Sequence, residues 1–172
     1  MRTSFYSLAP LALLFLTGCP DDPCTRADRA DPDLAIGMGE KAFEALADGD
    51  EAVLTYGNQG GQHIWVALQA SGVNPGEKGV FAQDRDPVTI TLALEGMTDG
   101  WDAGSYYSNW VAMAGSPEES EITGLQLVVS LGYFDTYGEA PQPVDQEYLL
   151  TAEVADVCGN TVSAERIIRL PE

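Results

Sequence analysis

The sequence predicts an all-β protein, an antiparallel β-sandwich of about eight strands, and three observations carry that prediction. Apolar and polar residues alternate with period two over several short segments. Gly, Asn, Asp and Pro recur between those segments at turn-like intervals. Helical periodicity is almost absent. Together these features call for two antiparallel sheets packed face to face, each with one wet side.

The strand with the plainest pattern is Val88 to Glu95. There Val88, Ile90, Leu92 and Leu94 alternate with Thr89, Thr91, Ala93 and Glu95, and Pro87 precedes it where no ladder donor is required. Before it come candidate strands at Glu51 to Tyr56, Gln62 to Ala70 and Lys78 to Gln83. After it come Tyr106 to Ala112, Ile122 to Leu131, Tyr148 to Val157 and Thr161 to Leu170. Asp48-Gly49 and Asn58-Gln59-Gly60-Gly61 supply turns, the latter closing a hairpin, and Cys158-Gly159-Asn160 supplies the last one. In the segment His63 to Leu68, alternation puts Ile64, Val66 and Leu68 on one face and His63, Trp65 and Ala67 on the other. Lys41 to Ala47 has some helical propensity, but the run is short and stops at Asp48-Gly49.

The N-terminus reads as a processing signal. Arg2 provides a positive start, and Leu8 to Leu16 is an apolar run too short to span a bilayer, which takes about 20 apolar residues. The run ends in Leu16-Thr17-Gly18-Cys19, which resembles the lipobox of bacterial lipoproteins. That resemblance implies a signal peptide over residues 1–18 and diacylation (palmitate-type chains) of Cys19. The chain from Cys19 would then be held at a membrane of the cell envelope. Each buried CH₂ contributes about 0.8 kcal/mol, so several chains on one residue anchor firmly. Pro20 follows the cysteine in place of the aspartate that favours inner-membrane retention in enteric bacteria, which points to the outer membrane in a Gram-negative host. Residues 19–33 are rich in proline and aspartate and carry no large apolar side chain, as expected of a tether, and residues 34–172 form the sandwich.

With 27 acidic residues against eight basic ones, the whole chain carries a net charge of −19. This balance excludes nucleic acid, nucleotide phosphates and a basic patch for anionic lipid as partners. It is equally the charge of an exported protein kept soluble by self-repulsion. Once Cys19 is lipidated, Cys24 and Cys158 remain, an even pair for an oxidising compartment. Joined, they close a loop worth about 4–5 kcal/mol on the chain-entropy model; the alternative is two independent thiols.

The segment Glu153-Val-Ala-Asp-Val-Cys-Gly-Asn with the strand after it is similar to the last hairpin of bacterial immunoglobulin-like domains, in which a strand ends in D-x-x-G-N. The stretch GNQGGQHIWVAL resembles uncharacterised lipoproteins of myxobacterial type. These resemblances imply an immunoglobulin-like fold and an envelope location, and carry no activity with them.

Candidate chemistry is sparse. His63 is the one histidine, and no G-x-S-x-G elbow accompanies it, so a hydrolase using His63 is the weakest of the functional readings and the chain reads as non-enzymatic. No cofactor motif is present, and Gly60-Gly61 is followed by neither a lysine nor a helix. Asp48-Gly-Asp50-Glu51, Asp84-Arg-Asp86 and Asp99-Gly-Trp-Asp102 offer oxygens to calcium but miss the EF-hand spacing; they read as solvated turns and no metal is assigned. Aromatic residues cluster at Trp101, Tyr106, Tyr107 and Trp110, and again at Tyr133, Phe134 and Tyr137. The first group is the candidate surface for a protein or glycan, the competing reading being core. On a regular strand, Tyr106, Ser108 and Trp110 share one face and Tyr107 and Asn109 the other. The expected function is a lipid-anchored sandwich displaying a binding surface, or else a structural subunit of an envelope assembly.

Overall fold

A computed structural model describes Cys24 and residues 31–56, 62–78, 86–97, 102–129 and 146–170. The strands are β1 (Asp33–Met38), β2 (Glu44–Ala45), β3 (Asp50–Glu51), β4 (Thr55–Tyr56), β5 (Gln62–Ser71), β6 (Val88–Gly96), β7 (Asp102–Val111), β8 (Ala114–Ser116), β9 (Glu119–Val129), β10 (Gln146–Ala155) and β11 (Thr161–Leu170). Residues 79–83 of the predicted strand at Lys78 to Gln83, the turn at 58–61, the second aromatic group and the whole N-terminal signal with Cys19 lie outside the described residues.

Two sheets form. One runs β2-β1-β5-β9-β8, with β4 also on β5; the other runs β3-β11-β10-β6-β7. Setting aside the two-residue strands β2, β3 and β4, eight strands remain among the described residues. Their order, β1-β5-β9-β8 facing β11-β10-β6-β7, is the A-B-E-D and G-F-C-C′ arrangement of an immunoglobulin-like Greek key. All these pairings are antiparallel except β3 on β11, which is parallel over two residues. β1 was hidden from sequence reading because its DLAIGM pattern buries both Ile36 and Gly37 and so breaks the alternation.

The core lies between the sheets. Val88, Ile90, Leu92 and Leu94 of β6, all fully buried, join Leu150 and Val154 of β10, Ile168 of β11, Ile64, Val66 and Leu68 of β5, and Leu127 of β9 in one cluster. Around it the lateral sides close. β1 approaches β11, and β7 approaches β9 where Gly104 lies so near the Val128 carbonyl that a β-carbon would collide. The segment with helical propensity is instead a bend leading into β2, which pairs with β1: Gly37 and Gly39 admit it, because a side chain at Gly37 would meet the Phe43 ring at 2.6 Å and Gly39 has φ +138°.

Among the described residues, three bulges adjust the sheets. In β9, Gly124 at φ +72° inserts an extra residue between the pairs Val66↔Leu125 and Leu68↔Ile122. In β7, one extra residue falls between Leu94↔Gly104 and Glu95↔Asp102, and another between Ile90↔Ser108 and Val88↔Val111. Replacing Leu92 by alanine should cost about 3 kcal/mol, because the close-packed centre cannot collapse into the void. The check is a lower urea midpoint with an unchanged m value.

Candidate functional site

The aromatic group is split by the last of those bulges. Asn109 and Trp110 together oppose Thr89, so Val111 and not Trp110 takes the inward position opposite Val88. The expected shared face of Tyr106, Ser108 and Trp110 is therefore wrong for Trp110. Tyr106, opposite Leu92, is partly buried against the core, whereas Trp110 is turned outward and 67% exposed. The Ser108 hydroxyl accepts the Trp110 N–H at 3.5 Å, a long bond that backs the kink. Tyr107, opposite Thr91 on the outer face, is 66% exposed. Two of the four candidates thus stand in solvent and one leans on the core, while Trp101 lies outside the described residues.

His63 sits mid-sheet, between Thr55 of β4 and Val128 of β9. It is buried, and its ring meets Trp65 edge-on with centroids 4.7 Å apart. Its Nε2 has no hydrogen-bond partner among the described residues.

Trp65 borders a cleft of about 460 Å³ that sequence reading missed. Its walls come from the end of β1, the turn after it and β2 (Met38, Glu40, Glu44), from the strap joining the two sheets (Leu46, Asp50, Glu51) and from Val53 and Thr55. The strap is held to β11: the Ile167 N–H donates to Asp48 Oδ1 at 3.0 Å, Arg166 Nε to the Leu46 carbonyl at 3.1 Å, and the Ala52 N–H to the Arg169 carbonyl at 2.8 Å. The turn carrying Glu40 is fixed by the Gly39 N–H donating to the Trp65 carbonyl at 3.0 Å. These residues are scattered from 38 to 65, which is why no local motif marks them.

The acidic turns have structural employment. Asp50 Oδ2 accepts the Ala47 N–H at 2.8 Å, and Asp102 Oδ1 accepts the Gly104 N–H at 3.2 Å. Asp86 lies at the edge of the described residues with φ 49°, and Asp84 and Asp99 lie outside them.

The pole opposite the cleft is built on Asp156. Its carboxylate accepts the backbone N–H groups of Asn74 (2.7 Å), Cys158 (2.8 Å) and Asn160 (2.9 Å) and the Asn160 side-chain amide (2.7 Å). Burial disfavours the charged form, but these donors outweigh it and hold the carboxyl below its ordinary value of 3.8. Two residues on, Cys158 is disulfide-bonded to Cys24, with α-carbons 5.4 Å apart. The bond closes the even pair as one link across a separation of 134 residues. The loop after β5 joins the same pole, its Gly72 N–H donating to the Pro117 carbonyl and its Pro75 carbonyl accepting from Met113, both at 2.8 Å.

No family model matches the chain, and no curated protein matches it. Among solved structures, the chain is similar to the CooA pilin subunit from enterotoxigenic Escherichia coli, at 10% identity and a TM-score of 0.34, over 80% of this chain and 99% of that one. The immunoglobulin-like assignment rests on the strand order alone.

Two outcomes test the Asp156 pole. Because the folded pKa of Asp156 is depressed, its contribution is complete above the unfolded value and is lost as pH falls from there through the folded value. Asp156→Asn should therefore be less stable at neutral pH, by about 2 kcal/mol, and lose less stability on acidification, as read from urea midpoints between pH 7 and pH 2. Reducing the disulfide should cost up to about 5 kcal/mol on the chain-entropy model, seen as a lower melting temperature with dithiothreitol present.

Proposed function

We propose that this protein is a lipid-anchored, non-enzymatic sandwich of the bacterial cell envelope that presents a protein- or glycan-binding surface. Cys19 anchors it, and five residues later Cys24 is tied to the turn between β10 and β11. Five residues reach at most about 18 Å, so the domain stands close to the bilayer with its disulfide pole toward it. The outer face of β6 and β7 then lies along the flank.

The observation that carries the binding reading is the bulge that turns Trp110 outward, three residues along β7 from exposed Tyr107. Large, stiff aromatic side chains in solvent combine contact area with little entropy loss, the chemistry of sugar stacking and peptide anchoring. The buried position of His63 supports a non-enzymatic role, since a general base has to reach its substrate. A structural subunit is the second reading. It is favoured by β7, a ten-residue strand at the end of its sheet, which suits addition of a partner strand.

Cys19→Ser should move the protein from the membrane fraction to the soluble fraction. Tyr107→Ala with Trp110→Ala should weaken binding to envelope glycans or proteins about tenfold, with an unchanged melting temperature. Undiminished binding in that variant removes the aromatic surface from the reading. Comigration of the wild type in a large native complex that the variant leaves intact favours the subunit.

A further inference from the structure

The cleft beside Trp65 has a mixed apolar and acidic lining. Met38, Leu46, Val53 and Trp65 supply the apolar lining, and Glu40, Glu44, Asp50 and Glu51 supply four carboxylates. No basic side chain is among the described lining residues. Among the described residues no three acidic, histidine or cysteine side chains converge as a metal site, so the carboxylates are dispersed around a volume far larger than one ion.

One of these carboxylates already has a guanidinium near it. Glu51 Oε1 lies 3.8 Å from Arg169 Nη1, with both side chains substantially exposed. Asp50 is committed to the Ala47 N–H, as described above. The Glu40 and Glu44 carboxylates hold no ion pair or hydrogen bond among the described residues and stand exposed beside the indole.

A guanidinium matches this combination better than an ammonium. It is planar, weakly hydrated, stacks on an indole and forks its donors to two carboxylate oxygens at once. We infer that the Trp65 cleft receives an arginine side chain projecting from an extended basic segment of a partner protein. Glu40 and Glu44 take the guanidinium, Trp65 packs against its plane, and Met38 and Val53 cover the methylene stem. The inference stands apart from the lipid anchor and from the aromatic face of β7, which lies on the other sheet.

The test uses the mature chain with its disulfide intact and the probe acetyl-triarginine-amide, followed by the indole N–H resonance of Trp65. That resonance is identified by its loss in Trp65→Phe. The expected result is saturable one-to-one binding that shifts the Trp65 indole, weakened about tenfold in Glu40→Gln/Glu44→Gln. Glu119→Gln/Glu153→Gln, which makes the same charge change elsewhere on the exposed surface, should leave affinity within about twofold. Equal weakening in both variants, an unmoved Trp65 indole, or trilysine binding as tightly as triarginine would overturn the inference, since each describes general attraction of cations to an acidic protein.

Discussion

A β-strand sends alternate side chains to opposite faces, and four strands here turn one complete aliphatic set into the single space between two sheets. β5 and β9 contribute from one side, β6 and β10 from the other. At about 25 cal/mol per Å² of apolar surface removed from water, that shared layer is the main favourable contribution to the fold. Everything else is arranged so that the layer stays continuous. Gly104 lets β7 and β9 close one side, the strap from Leu46 to Ala52 spans the other, and the bulges realign strands whose inward residues would otherwise fall out of phase.

How much of this was legible depended on how faithfully each strand keeps period two. β6 was readable residue by residue because Val88, Ile90, Leu92 and Leu94 are inward and Thr91 and Glu95 outward. β10, β11 and the Cys158-Gly159-Asn160 turn were equally plain, with Gly159 at φ +81° supplying the tight conformation. Where an extra residue enters, the same rule misleads. It put Trp110 with Tyr106 on one face, and the bulge at Asn109 and Trp110 separates them. β1 and the Trp65 cleft were illegible for another reason. Gly37 is buried under Phe43, and the cleft walls come together only when the strap folds back across β11, a tertiary event that no window of sequence records.

The buried and half-buried polar groups divide the molecule into two ends of different character. At one, Asp156 gathers four donors from three residues, so a charge is kept inside the fold by being completely used. At the other, Glu40 and Glu44 are left in solvent around an indole. An acidic chain meets the self-repulsion of its charge by spreading most carboxylates over turns and outer faces, where water screens them. Asp156 departs from this pattern, and the donors gathered around it hold the loops of its pole together.

The link between Cys24 and Cys158 also decides how the molecule bears load. A pull arriving through the N-terminal segment does not reach β1 first. It enters at the turn between β10 and β11, two strands joined along their whole length from Gln146↔Leu170 to Ala155↔Thr161. Without the bond, the same pull would act first on the six residues of β1 and on their pairing with β5. With it, the six residues of β1 are taken out of the force path, and a load on the N-terminal segment is borne by the hairpin of β10 and β11.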